Sequence, residues 1–86
     1  MLGKWKTRKK YGLTLANLIP ATIALRKEVG RKAFRRMDPE EIAERLLAMR
    51  TEADPRAFAE PGIDWDKLIE IIMQLLPLIL KIIALF

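Results

Sequence analysis

Apolar positions recur along this chain at three- and four-residue spacings, and nowhere do they alternate with polar ones as a half-buried strand requires. Ile19 with Ile23 and Leu25 with Val29 are i,i+4 pairs, giving a first predicted helix over about residues 13–36 a modest apolar face. Pro20 and Gly30 interrupt that helix. Pro20 lacks the N–H that would pair with the Ala16 carbonyl, so the spacing predicts a kink near Pro20 or a fresh start near Ala21. A second helix is predicted over residues 39–50. Asp38 supplies an acceptor at its N-cap, Pro39 sits at its first position, and Glu41 stands where a capping box needs it. Ile42, Ala43, Leu46, Leu47 and Met49 make one apolar side. Asp54-Pro55 repeats the start signal for a short helical turn near 55–59, and Pro61-Gly62 forces a reversal. Phe58, between them, is expected to plug the helix junction. The predicted fold class is all-α.

The third predicted helix, over residues 64–86, has a different character. Asp64 is a good N-cap, and Ile63 and Leu68 have the spacing of a hydrophobic staple. From Leu68 to Phe86, 15 of 19 residues are apolar, too many for an ordinary surface helix. The exceptions are Glu70, Gln74, Pro77 and Lys81. With Lys67 they fall in a stripe about 80° wide, leaving an apolar arc of about 280°. Pro77 lies on the stripe, where water or a partner replaces the donor that the Met73 carbonyl loses. The other segments offer too few large apolar side chains to cover the whole arc. The surplus predicts self-association, docking into an assembly, or membrane contact. The expected assembly or membrane face is Leu68, Ile69, Ile72, Leu75, Leu76, Ile79, Leu80, Ile83 and Phe86. The polar stripe is Lys67, Glu70, Gln74 and Lys81.

Eighty-six residues allow one domain at most, near the size where a single core gives little stability without staples or partners. The chain is therefore not expected to be independently stable as a monomer. Within it, residues 1–12 read as a basic arm, 13–62 as a helical region with proline-marked connectors, and 63–86 as the apolar helix. Charge divides the chain differently. Residues 1–36 carry eleven cations and one acid, Glu28, while residues 37–86 carry five cations and ten acids. This asymmetry predicts that the basic half meets an anionic surface. The expected contact residues are Lys4, Trp5, Lys6, Arg8, Lys9, Lys10, Tyr11, Arg31, Lys32, Arg35 and Arg36. Aromatics among cations suit stacking on single-stranded bases and suit a lipid headgroup interface equally well. The cluster Arg31, Lys32, Arg35 and Arg36 has a plainer explanation too, since cations at the end of the first helix complement its dipole. No zinc-finger, basic-zipper or RNA-recognition signature is present, so any nucleic-acid contact is expected to be nonspecific.

The chain has no His, Cys or Ser. That removes the usual general base, the thiolate nucleophile, the hydrolase triads and the common zinc ligands. Glu40 and Glu44 share a helix face, but first-turn acids have a capping explanation and no other catalytic group accompanies them. Asp64 and Asp66 present too few oxygens for a metal. No enzymatic activity, cofactor, metal or small-molecule substrate is expected. The basic N-terminus resembles the start of a secretory signal, but Thr14, Asn17, Pro20 and Thr22 interrupt the following apolar run and no cleavage site follows, so no cleavable signal is expected.

Two readings of function follow. In the first, the chain is a non-enzymatic structural or interaction subunit. It packs into a larger assembly, such as a virus particle or a membrane-bound complex, through its last helix, with the basic half on an anionic surface. In the second, it is a membrane-inserting oligomer or pore-like protein whose last helix spans or lies in the bilayer. Nineteen residues at 1.5 Å rise span about 28 Å, close to a bilayer core. Trp65 and Phe86 would then be interfacial anchors and the polar stripe a lumen or seam. Nonspecific nucleic-acid binding is a weaker third reading. Association with an assembly or a membrane is expected over a free soluble existence.

Overall fold

Among the described residues the chain is entirely helical, as the absence of strand periodicity predicts. A computed structural model describes residues 2–86, with side chains from Lys6 onward. The helices are α1 (Leu2–Tyr11), α2 (Leu15–Val29), α3 (Arg31–Arg36), α4 (Pro39–Ala53) and α5 (Trp65–Ile83).

Residues 1–12, read from sequence as an arm, are therefore largely a helix. Its end is a Schellman motif: the Gly12 N–H donates to the Lys9 carbonyl at 3.3 Å and the Leu13 N–H to the Arg8 carbonyl at 2.8 Å. Gly12 has φ +67° there, and Leu13 behind it is fully buried. A Cβ on Gly12 would meet the Arg50 guanidinium at 2.2 Å, so glycine is required twice over at this position.

The first predicted helix divides at Gly30, not at Pro20. α2 runs unbroken past Pro20, because Pro20 and Ala16 are both exposed and water can serve the Ala16 carbonyl. Gly30 adopts φ +89°, ψ 153°, a region closed to residues with a Cβ, and serves both as the C-cap of α2 and the N-cap of α3.

Asp38 and Pro39 start α4 as predicted, but the Asp38 side chain makes no capping bond, so the capping box does not form. α4 continues three residues beyond the expected end, to Ala53. The segment after it is a run of single turns, Asp54 to Ala59, closed by i,i+3 bonds such as Phe58 N–H to Pro55 carbonyl at 3.3 Å. Asp64 does cap α5, its Oδ1 accepting from the Lys67 N–H at 3.1 Å. α5 ends at Ile83, not at residue 86.

α5 lies at the centre of the packing, paired most extensively with α4 and then with α2. Leu68, Ile71, Ile72, Leu76, Ile79 and Ile83 of α5 are buried against Leu18, Thr22 and Leu25 of α2 and Ile42, Ala43, Leu46 and Leu47 of α4. Phe34 of α3, with Tyr11, Leu13 and Phe58, completes the core. The Cα radius of gyration, 12.7 Å, is close to the value of about 12 Å for a packed domain of this length, so the helices form one body.

Candidate anionic-surface interface

The core of α5 reduces the apolar surplus expected from sequence. Its buried positions occupy an arc of about 140°, half the apolar arc of the isolated helix. Leu68, Ile72, Leu76, Ile79 and Ile83, assigned from sequence to an assembly or membrane face, are instead the inside of this chain's own core. Ile69, Leu75 and Leu80 are half-buried at the flanks. Of the nine face residues only Phe86 is freely exposed. Residues outside that assignment, Trp65, Met73, Leu78 and Leu85, are exposed with it. Tyr11, Leu13 and Phe34, outside the two long helices that pack on α5, add to the same core. The polar stripe behaves as its composition demands: Lys67, Glu70, Gln74, Pro77 and Lys81 all face away from the core. α5 also carries Asp66, and no helix among the described residues is long and apolar enough to cross a membrane. The bilayer-spanning reading therefore has no described helix to carry it.

The expected anion-contact residues divide into three groups. The side chains of Lys4 and Trp5 lie outside the described residues. Arg8 and Tyr11 are turned inward, and Lys10 is engaged at the surface by Glu60. Tyr11 is buried, with its ring 5.0 Å from that of Phe58, and its hydroxyl donates to Glu60 Oε1 at 2.6 Å. Lys10 donates to the same oxygen. The three groups are coupled: hydrogen bonding to Lys10 and then Tyr11 holds the Glu60 carboxyl below its usual range, while bonding to Glu60 raises both Lys10 and Tyr11. Arg8 is half-buried, with its Nε unpartnered. The third group is free of such ties: Lys6 and Lys9 on α1, and Arg31, Lys32, Arg35 and Arg36 on α3, are exposed, and none of the six makes an ion pair among the described residues.

Two consequences of the fold were not visible in the sequence. First, the break at Gly30 places Arg31 and Lys32 in the first turn of a new helix, the positive end of its dipole. The dipole explanation survives for Arg35 and Arg36 and fails for Arg31 and Lys32. The spacing also sets Arg31 over Arg35 and Lys32 over Arg36, like-charge pairs that destabilise a helix. Second, the basic half is split in space. Phe58 stacks on Trp65 with ring centroids 5.8 Å apart, which ties the end of α1 to the start of α5. α3 instead meets the end of α5. There Arg26, Arg31, Phe34, Arg35, Leu80, Ile83 and Ala84 line a cavity of about 230 Å³. Arg26 was not singled out from sequence. Its Nη1 donates to the Ile83 carbonyl at 3.0 Å, in the last turn of α5.

Acidic side chains gather elsewhere. Glu40 and Glu44 of α4 and Asp66 and Glu70 of α5 line a groove of about 520 Å³ with Ile69 and Met73. Among the described residues no group of acids is placed to hold a metal ion. The molecule thus carries a basic cluster and an acidic groove on one rigid core, with exposed Leu85 and Phe86 beyond α5. Comparison with family models, with curated proteins and with solved structures finds no match to this chain.

Proposed function

We propose that this chain is a non-enzymatic helical interaction subunit that seats the basic α3 end of its bundle on an anionic surface within a larger assembly, such as a virus particle or a membrane-bound complex. One observation carries the reading. α3 holds four exposed, unpaired cations in six residues, two of them at the wrong end of its dipole and all of them in like-charge i,i+4 pairs. The dipole favours only Arg35 and Arg36, whereas an external polyanion relieves the repulsion among all four. Met73 and Leu78, exposed apolar side chains of α5, flank the polar stripe and are the surface left for protein partners.

The test is binding of the full chain to a labelled heparin fragment across a range of salt concentrations. Affinity is expected to fall steeply as salt rises, and to fall further when Arg31, Lys32, Arg35 and Arg36 are changed to glutamine. A response flat in salt, or indifferent to those four changes, removes the proposal.

A further inference from the structure

The cavity at the junction of α2, α3 and α5 is more specific than a charged face. Arg26, Arg31 and Arg35 line it together with the apolar Phe34, Leu80 and Ile83. Arginine forks match phosphate oxygens two at a time, and three of them offer more charge than one carboxylate needs. The Arg26 Nη1 is held by the Ile83 carbonyl, which fixes this guanidinium at the mouth while its other donors remain available. Next to the cavity wall at Ala84, the chain continues into Leu85 and Phe86, 85% and 70% exposed. We infer that this cavity takes the phosphate of an anionic phospholipid headgroup, with Leu85 and Phe86 entering the boundary between headgroups and acyl chains. This rests on the anionic-surface reading above and names its partner.

Lipid is favoured over nucleic acid by the lining. A single-stranded base needs an exposed aromatic face on which to stack. Phe34, the one aromatic that lines the cavity, is only 7% exposed and the other apolar lining is aliphatic; exposed Phe86 lies outside the lining and is paired with exposed aliphatic Leu85, which suits an acyl boundary. Cations beside exposed apolar side chains are the arrangement that binds a membrane surface without crossing it.

The experiment is flotation of the full chain with vesicles of phosphatidylcholine containing one part in three of phosphatidylglycerol, beside vesicles of phosphatidylcholine alone. Two double variants carry the comparison. Arg31→Gln with Arg35→Gln strips the cavity. Lys9→Gln with Lys67→Gln removes the same charge at the other end of the bundle, Lys67 being 16 residues, or about 24 Å, along α5 from Ile83. All four positions are exposed, so circular dichroism should show both variants folded. Binding to the anionic vesicles is expected to fall about 25-fold in the cavity variant, about fivefold per cation, and by less than about fivefold in the control. Leu85→Ser with Phe86→Ser should also weaken it.

Equal losses in the two double variants mean diffuse charge and overturn the site. Heparin binding without vesicle binding overturns the lipid assignment and leaves the anionic-surface reading standing. Failure to bind either probe removes both. Saturation of the cavity by glycerol 1-phosphate, followed by nuclear magnetic resonance and unaccompanied by vesicle binding, reassigns it to a soluble phosphate ester and overturns the membrane partner. Loss of single-stranded oligonucleotide binding, but not of vesicle binding, in the cavity variant has the same effect on the lipid assignment.

Discussion

Arg26 on α2 donates from its Nη1 to the carbonyl of Ile83 at 3.0 Å, across 57 residues of chain. The acceptor belongs to the last turn of α5, at the negative end of its dipole, and it also accepts from the Phe86 N–H at 3.0 Å. One side chain therefore ties α2 to the end of the central helix, with both partners lining the basic cavity. Arg26→Met keeps the apolar stem and deletes the donor. It is expected to lower stability by about 1 kcal/mol, a fall in Tm of about 4–8 °C for a domain of this size. Thermal unfolding followed by circular dichroism measures it; an unchanged Tm would show that water replaces the guanidinium without loss.

Arg31 separates stability from binding. It lies exposed in the first turn of α3, below Arg35. Arg31→Glu places an acid where the dipole favours one and creates an opposite-charge i,i+4 pair with Arg35. Stability should rise by about 0.5–1 kcal/mol. Affinity for heparin or anionic vesicles should fall in the same variant. A variant that is less stable and also binds less would mean that Arg31 supports the fold, and the functional reading of α3 would lose its main support.

The helical class and the starts of α4 and α5 were legible because their signals are local. Asp64 caps α5, Asp38-Pro39 starts α4, and the polar residues of α5 hold one stripe, all readable from spacing alone. α1 was readable too, in Tyr11-Gly12-Leu13 following a basic last turn, but its charge density made it look like an arm. What spacing does not carry is which apolar residues meet. Tyr11, Leu13, Phe34 and Phe58 are scattered singly, contribute little to any helical period, and still join the core that α2, α4 and α5 form. The site was half legible for a similar reason. The cations of α3 were visible as a run, but their relation to a dipole depends on where the helix begins, and that is set by the backbone of Gly30. Arg26 was invisible because its role comes from a partner 57 residues away.

Burial of α5 changes what substitutions there report. Ile79 is fully buried and Leu78, its neighbour, is about half exposed at 47%. Ile79→Ala should destabilise the chain by about 2–5 kcal/mol, through lost transfer energy and the cavity left behind. Leu78→Ala should stay within about 0.5 kcal/mol. Denaturant midpoints of the two variants give the comparison. An acidic residue at Ile72 or Ile79 would unfold the bundle before it could test assembly, so exposed Met73 and Leu78 are the positions at which to probe protein partners. Matching destabilisation in Ile79→Ala and Leu78→Ala would indicate that α5 is not packed as the core describes.

The junction of α1 with the loop before α5 should depend on pH at both extremes. Glu60 accepts from Lys10 and from the Tyr11 hydroxyl, and its carboxyl is held below the ordinary value of 4.5. A depressed carboxylate stabilises the folded state above its unfolded pKa, and that contribution is lost as pH falls from about 4.5 through the folded value. Lys10 is shifted the other way, above 10.5; its contribution is complete below that value and is lost as pH rises through the folded pKa. Tyr11 is the one tyrosine in the chain, so absorbance at the phenolate band reports it alone. Its hydroxyl should ionise above the ordinary value of 10.0, held neutral first by the bond to Glu60 and then by burial. Glu60→Gln removes the charged acceptor and should move the Tyr11 titration back toward 10.0 without reaching it, because burial remains. A Tyr11 titration identical in the two proteins would mean that the phenol does not bond Glu60 in solution, and that Tyr11 is held at this end by its ring contact with Phe58.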